Sequence, residues 1–242
     1  MASKDIIPRQ PLENDEYIFI EYGAGRAGLS SFVAAHLEEA IKEKSKNKQV
    51  KFIIVDRDTR RRKLDKTFRD VFVTCREKMD IADFNLEVFL EEKVEEGVFE
   101  GQSTNLVCIA KHLCGGATDL SLTSLLSRQS TFPTSGIAIA TCCHHQCDHK
   151  TFVNLDYLKT ELQFSDHEIE VLPRMSSWAI RQDLDNIERR EVGLKVKRIL
   201  DCARIEFIRD KLKDSNMNVG AVEYCDPLTE SPESTLIVAF PS

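Results

Sequence analysis

Apolar runs and helical stripes take turns along this chain. YIFIEY (Tyr17–Tyr22) is a short apolar run leading directly into GAGRAG, after which Leu29, Phe32, Val33, His36, Leu37 and Ile41 recur at helical spacing. VKFIIVD (Val50–Asp56) is almost continuously apolar, as parallel strands are when helices cover both faces of their sheet. A third, weaker strand is predicted within Val73–Ile81. NLVCIAKHL (Asn105–Leu113) predicts a fourth, with a helix over GGATDLSLTSLL; GIAIATCC (Gly136–Cys143) predicts a fifth, with a helix around Lys150–Leu162.

The alternation then pauses. Ser165 to Lys213 reads as helical, with Leu184, Ile187, Val192, Val196, Ile199, Ala203 and Ile208 forming a stripe. MNVGAVEYC (Met217–Cys225) and STLIVAF (Ser234–Phe240) are two closing strands, and DPLTESPE between them is too short for a crossover, so they pair antiparallel. The expectation is one α/β, Rossmann-like domain over 1–242. Its seven-stranded mixed sheet ends in an antiparallel hairpin, and a helical insert at about 165–213 lies between strands five and six.

Composition narrows the class. No apolar run approaches the ~18 residues of a membrane span, and the polar N-terminus has no signal-peptide core, so an intracellular protein, cytoplasmic or nuclear, is expected. The eight cysteines then read as reduced, Cys108 and Cys202 as small buried hydrophobes. A net charge of −7 argues against a chain that grips nucleic acid through phosphates unaided. Charge is uneven, however: Arg57 to Arg69 holds seven basic residues against two acidic ones, whereas Glu87 to Glu100 is acidic.

GAGRAG puts Gly23, Gly25 and Gly28 between a strand and a helix, where small residues let a ligand approach the backbone above the carboxyl end of the sheet. Asp56, ending the second strand, is placed to accept hydrogen bonds from two ribose hydroxyls; Asp83, preferred over Asp80, stands where an acid meets an adenine amino group. NAD(P) and S-adenosylmethionine both suit this pattern. Glu21 two residues before the first glycine, an acid later than the ~20-residue spacing of dinucleotide binders, and the terminal hairpin favour the methyl donor.

EYGAGRAGLS, VDR, DIADFNL, AKHLCGGATDLSL, CCHHQC and REVGLKVKRILDCAR together resemble the catalytic domain of the eukaryotic tRNA 2′-O-methyltransferases that modify position four of the acceptor stem, from about Tyr17 to Phe240. KHLCGGATD and CCHHQC carry most of that resemblance. It implies a class I methyltransferase fold, S-adenosylmethionine as donor and a tRNA ribose 2′-oxygen as acceptor. On the donor it places Glu21, Tyr22, Gly23, Ala24, Gly25, Asp56, Arg57, Asp83, Lys111 and Leu113. It also implies zinc-finger modules ahead of such a domain; none is legible here, so tRNA binding is expected to need additional modules. Methylation of a protein or small molecule, or NAD(P)-dependent oxidoreduction, remain the alternatives.

A ribose hydroxyl becomes a nucleophile only when its proton is managed. Lys111 and His112 end one central strand, and His144 and His145 end the next. Lys111 is expected to stabilise the developing alkoxide, and the base is sought in the order His145, His144, His112; Asp119 either orients a histidine or caps a helix. No metal site is expected. Cys143, Cys147 and a histidine make three ligands, but adjacent residues of CCHHQC would have to point oppositely, and no CxxC pair completes the set. Arg174, Trp178, Arg181, Arg189, Arg190, Lys195, Lys197 and Arg198 of the insert, together with the Arg57–Arg69 strip, are the candidate tRNA contacts.

Overall fold

The computed structural model describes residues 16–40, 49–58, 71–101, 104–126, 132–180, 186–227 and 229–242. Ile41, Arg181, Leu184 and positions 59–69 of the basic strip lie outside these residues. The strands are β1 (Glu16–Tyr22), β2 (Val50–Val55), β3 (Val73–Glu77), β4 (Thr104–Cys114), β5 (Thr134–Cys142), β6 (Met217–Glu223) and β7 (Thr235–Pro241). They form one seven-stranded sheet in the order β3-β2-β1-β4-β5-β7-β6. β1 to β5 run parallel, and β7 lies antiparallel to both β5 and β6. The expected mixed sheet with its closing hairpin is the observed one.

The helices are α1 (Gly28–Ala40), α2 (Leu86–Glu95), α3 (Gly116–Leu126), α4 (Asp166–Ser176) and α5 (Ile187–Lys211). Alternation along β1 explains how they are held. Ile18, Ile20 and Tyr22 face a core shared with α2, α3 and Ile205 and Ile208 of α5, while Phe19 joins Phe52, Ile54, Ala34 and Leu37 beneath α1. Both faces of the central strands are therefore buried, which is why they read as unbroken apolar runs.

The insert has its own small core of Phe152, Leu158, Ile169, Leu172, Val196, Leu200 and Ala203. α4 begins with a capping box in which Ser165 and Glu168 each accept from the other's backbone amide. Gly193 lies inside α5 because a Cβ there would come within 2.3 Å of the Ala179 backbone nitrogen.

The third strand lies within the expected Val73–Ile81, ending at Glu77, and a short 3₁₀ turn follows at Ile81–Asp83. Other expectations are corrected. The helix expected around Lys150–Leu162 is confined to its second half, a π-helix at Tyr157–Glu161 preceded by turns. The insert is helical as expected, in α4 and α5, but Ile187, counted in its apolar stripe, is 73% exposed. Cys202 is exposed: its neighbour Asp201 faces the core, which turns Cys202 outward.

Candidate active site

The strand order reverses between β1 and β4, and in open α/β sheets ligands bind outside the carboxyl ends of the strands at such a switch point. The loop after β1 borders it. Gly23 and Gly25 adopt left-handed backbone at φ 61° and 53°, and so does the buried Ala27 at 57°; Gly28 simply opens α1. At Gly23 a Cβ would stand 2.8 Å from Leu113 Cδ2, so glycine lets the loop sit against the end of β4. The Gly25 amide donates to Asp56 Oδ2 at 2.7 Å, and the Asp58 amide to Asp56 Oδ1 at 2.7 Å. Asp56 thus locks two loops together, and each oxygen keeps a further lone pair for a ligand. Arg76 of β3, which sequence reasoning missed, reaches the Gly25 carbonyl at 3.4 Å through both terminal nitrogens.

Glu21 lies behind this loop, buried, where it accepts from the Ser30 amide at 2.9 Å and the Ser30 hydroxyl at 2.5 Å. It therefore occupies the anion seat at the N-terminus of α1. Burial raises its carboxyl above the usual range, and the Ser30 hydrogen bonds work against that rise. Tyr22 is also buried and donates to Ser124 Oγ at 3.0 Å; Leu113 is packed under Gly23 and Ala24 is buried. The side chains of Glu21, Tyr22 and Leu113 consequently build the cradle from behind rather than line it. Arg57 is exposed and lies 3.8 Å from Asp80 Oδ2, and exposed Asp83 borders a cavity of about 440 Å³ with Phe84, Asn85, Thr123 and Ser124.

Beside the loop, β4 ends in a bulge: the β4–β5 register shifts between Lys111 and Leu113, with His112 left-handed at φ 66°. Lys111 and His112 are both exposed there. On the next strand the two histidines part company. His145 is half-buried on a groove of about 400 Å³ with Cys147, Phe152, Ile169 and Arg174, and its Nδ1 has no partner among the described residues. His144 is buried, and its Nε2 donates to Asp201 Oδ1 at 2.8 Å.

That contact belongs to a buried charge network that takes in two of the catalytic candidates. Asp119, fully buried, takes a bidentate pair from Arg204 at 3.0 and 2.7 Å. Arg204 also reaches Asp201 Oδ1 at 3.1 Å, Cys147 Sγ at 3.1 Å and the Gly115 carbonyl at 3.5 Å, and Thr141 donates to Asp201 Oδ2 at 3.0 Å. Burial works to raise the Asp201 carboxyl, but His144 and Arg204 outweigh it and hold it below the ordinary range. Burial pushes the Cys147 thiol up to about 11 against the pull of Arg204. Asp119 and His144, candidates for catalysis from the sequence, are enclosed in this network, which holds the loops after β4 and β5 to α5.

The same packing accounts for KHLCGGATD beside CCHHQC. A Cβ at Gly115 would stand 2.3 Å from the Gln146 carbonyl oxygen, and one at Gly116 would stand 2.7 Å from Thr151 Oγ1. The signal that marked Asp201 and Arg204 was their place, three apart, on the buried stripe of α5. Other cations of that helix are engaged too: Lys197 is buried against Glu233 at 2.8 Å and the Pro232 carbonyl, and Arg198 meets Glu223 at 2.5 Å. Arg190 donates to the Pro227 carbonyl at 3.2 Å, and Arg189 stacks 4.3 Å over half-buried Trp178. Lys195 and Arg174 are exposed. Among the described residues no helix is long and apolar enough to cross a membrane.

The family model described as methyltransferase TRM13 matches residues 4–186. A protein named tRNA:m(4)X modification enzyme TRM13 from Vanderwaltozyma polyspora is 31% identical over 94% of this chain and 57% of its own length. Its namesake from Saccharomyces cerevisiae is 28% identical over 82% of this chain and 53% of its own. A homologue from Dictyostelium discoideum is 27% identical over 88% and 47%. The chain thus spans about half the length of these curated relatives.

Proposed function

We propose an activity from one premise: the chain belongs to the TRM13 methyltransferase family. It transfers the methyl group of S-adenosylmethionine to a ribose 2′-hydroxyl of tRNA, at position 4 of the acceptor stem. The relatives are named as tRNA:m(4)X modification enzymes, which supports the tRNA and the position. One observation carries the chemistry: exposed Lys111 and His112 on the bulged rim of β4 stand next to a left-handed glycine loop at the switch point of the sheet.

The residues fit such a donor. Gly23 and Gly25 leave backbone uncovered for it, Asp56 has lone pairs for its ribose hydroxyls, and Asp83 with the adjoining cavity suits its adenine. When bound, the donor supplies an already activated sulfonium methyl. What the protein adds is alignment, worth up to about 7–11 kcal/mol, and proton management, worth ~10²–10⁴-fold. Alignment therefore outweighs the base. Lys111 stabilises the oxygen as its proton leaves, and His112, exposed beside it, receives that proton. His145 is the second candidate, on the groove side of the same rim.

The test is transfer of labelled methyl from S-adenosylmethionine to total tRNA, followed by alkaline hydrolysis and mapping. A 2′-O-methyl group blocks alkaline cleavage at its own phosphate, so label should survive in a dinucleotide from position 4. Label in alkali-released mononucleotides would overturn the ribose assignment. NADH binding without S-adenosylmethionine binding would overturn methyl transfer itself.

A further inference from the structure

We propose that Cys114, Cys142 and Cys143 form a zinc site at the carboxyl rim of β4 and β5. Their sulfurs all lie within 4.8 Å of one another, and Cys114 Sγ stands 3.6 Å from Cys142 Sγ. Cys114 and Cys142 are register partners across the parallel ladder, so their side chains leave the sheet on one side. In an extended chain the next residue, Cys143, would point away. It instead adopts a left-handed conformation at φ 48°, ψ 42°, which folds its thiol back over the other two. The alternation that disfavoured a metal at CCHHQC is thereby removed.

The spacing suits a cation better than a covalent bond. Zinc–thiolate bonds of about 2.3 Å arranged tetrahedrally put neighbouring sulfurs about 3.8 Å apart, whereas a disulfide requires about 2.05 Å. An all-sulfur set selects a thiophilic ion and not the oxygen-seeking magnesium or calcium. Cys142 is buried while Cys114 and Cys143 are half-buried, so one side stays open for a fourth ligand such as water. Glu233 Oε1 accepts from the Cys143 amide at 3.4 Å, and Lys197 holds its other oxygen, so that carboxylate is engaged. Cys147, which the sequence offered with Cys143 and a histidine as a possible ligand set, is turned to Arg204 instead. Binding forms three Zn–S bonds and releases three thiol protons to solvent; no electron moves. The ion would clip the ends of β4 and β5 together two residues after His112. The proposal stands independently of the methyl-transfer reading.

Cobalt(II) is the spectroscopic probe. Added in equimolar amount to the reduced, metal-stripped chain, it should give an intense sulfur-to-cobalt band in the near ultraviolet, which zinc then bleaches. Cys114→Ser should lose most of that band, and Cys202→Ser should keep it. Because a rim variant can misfold, the unaltered chain supplies a second readout. Equimolar zinc should slow iodoacetamide modification of Cys114, Cys142 and Cys143 at least tenfold while leaving Cys202 unchanged. Absence of the band in the unaltered chain, its survival in Cys114→Ser, or equal alkylation with and without zinc would each overturn the site. So would a Cys114–Cys142 disulfide that forms in air at the same rate with zinc present.

Discussion

At the scale of single residues, the polar groups near the ends of β4 and β5 fall into two kinds whose substitution should have opposite consequences. Lys111 and His112 are exposed, so Lys111→Ala and His112→Ala should lower turnover while leaving the melting temperature unchanged, and His112→Ala should also leave donor affinity unchanged. Asp119→Asn removes half of a buried bidentate ion pair and leaves Asp201, already shared with His144, as the carboxylate facing the Arg204 guanidinium. Loss of one partner of such a pair costs about 3–5 kcal/mol, a fall in melting temperature of roughly 6–20 °C for a domain of this size. Unchanged stability in Asp119→Asn would return that residue to the catalytic groups. Asp201 adds a pH dependence. Its folded carboxyl is held below the ordinary value of about 3.9, so its contribution is complete above that value and is lost as pH falls through the lower, folded one. Asp201→Asn should therefore flatten the acid limb of a stability-against-pH curve below about pH 4.

At the scale of elements, what could be read from the sequence follows from what periodicity encodes. β1, β2, β4 and β5 are enclosed on both faces and so announce themselves as apolar runs, and Asp56 and the glycine loop were legible because they terminate such runs. β3, only five residues long with no fully buried position, left little pattern. Sequence order could bring Lys111, His112, Asp119, His144 and His145 to neighbouring strand ends. It could not say that a bulge at His112 and a left-handed Cys143 would turn some outward and others into the core. Lys197 misled for the same reason: on an amphipathic helix a cation reads as solvated unless its partner, here Glu233 from before β7, is known. Helix packing yields its own test. Gly193→Ala should destabilise by about 1–3 kcal/mol, the range for forced overpacking, because the added methyl meets the Ala179 backbone. Gly220→Ala, where a Cβ meets nothing within 4 Å, should instead be neutral or gain about 0.4–1 kcal/mol. Equal denaturation midpoints for the two variants would contradict the close approach of α5 to Ala179.

At the scale of the whole molecule, the question is how a chain with a net charge of −7 meets a polyanion. The insert carries many cations, but Lys197, Arg198 and Arg204 are neutralised within the fold and Arg189 lies over Trp178. The densest remaining positive charge along the sequence is Arg57 to Arg69, which follows directly on Asp56. If tRNA lies along that strip, Arg60→Ala, Arg61→Ala and Arg62→Ala combined should weaken tRNA binding. The salt slope of the affinity should fall by about one for each phosphate no longer neutralised. Donor affinity, read in parallel, should not move if the strip serves tRNA alone. Arg198→Ala, which breaks a surface pair with Glu223, should leave the slope where it was. Filter-binding isotherms at several salt concentrations read both effects. A slope that drops for Arg198→Ala and not for the triple variant would move the tRNA track to the insert, on the opposite flank of the β4 and β5 rim.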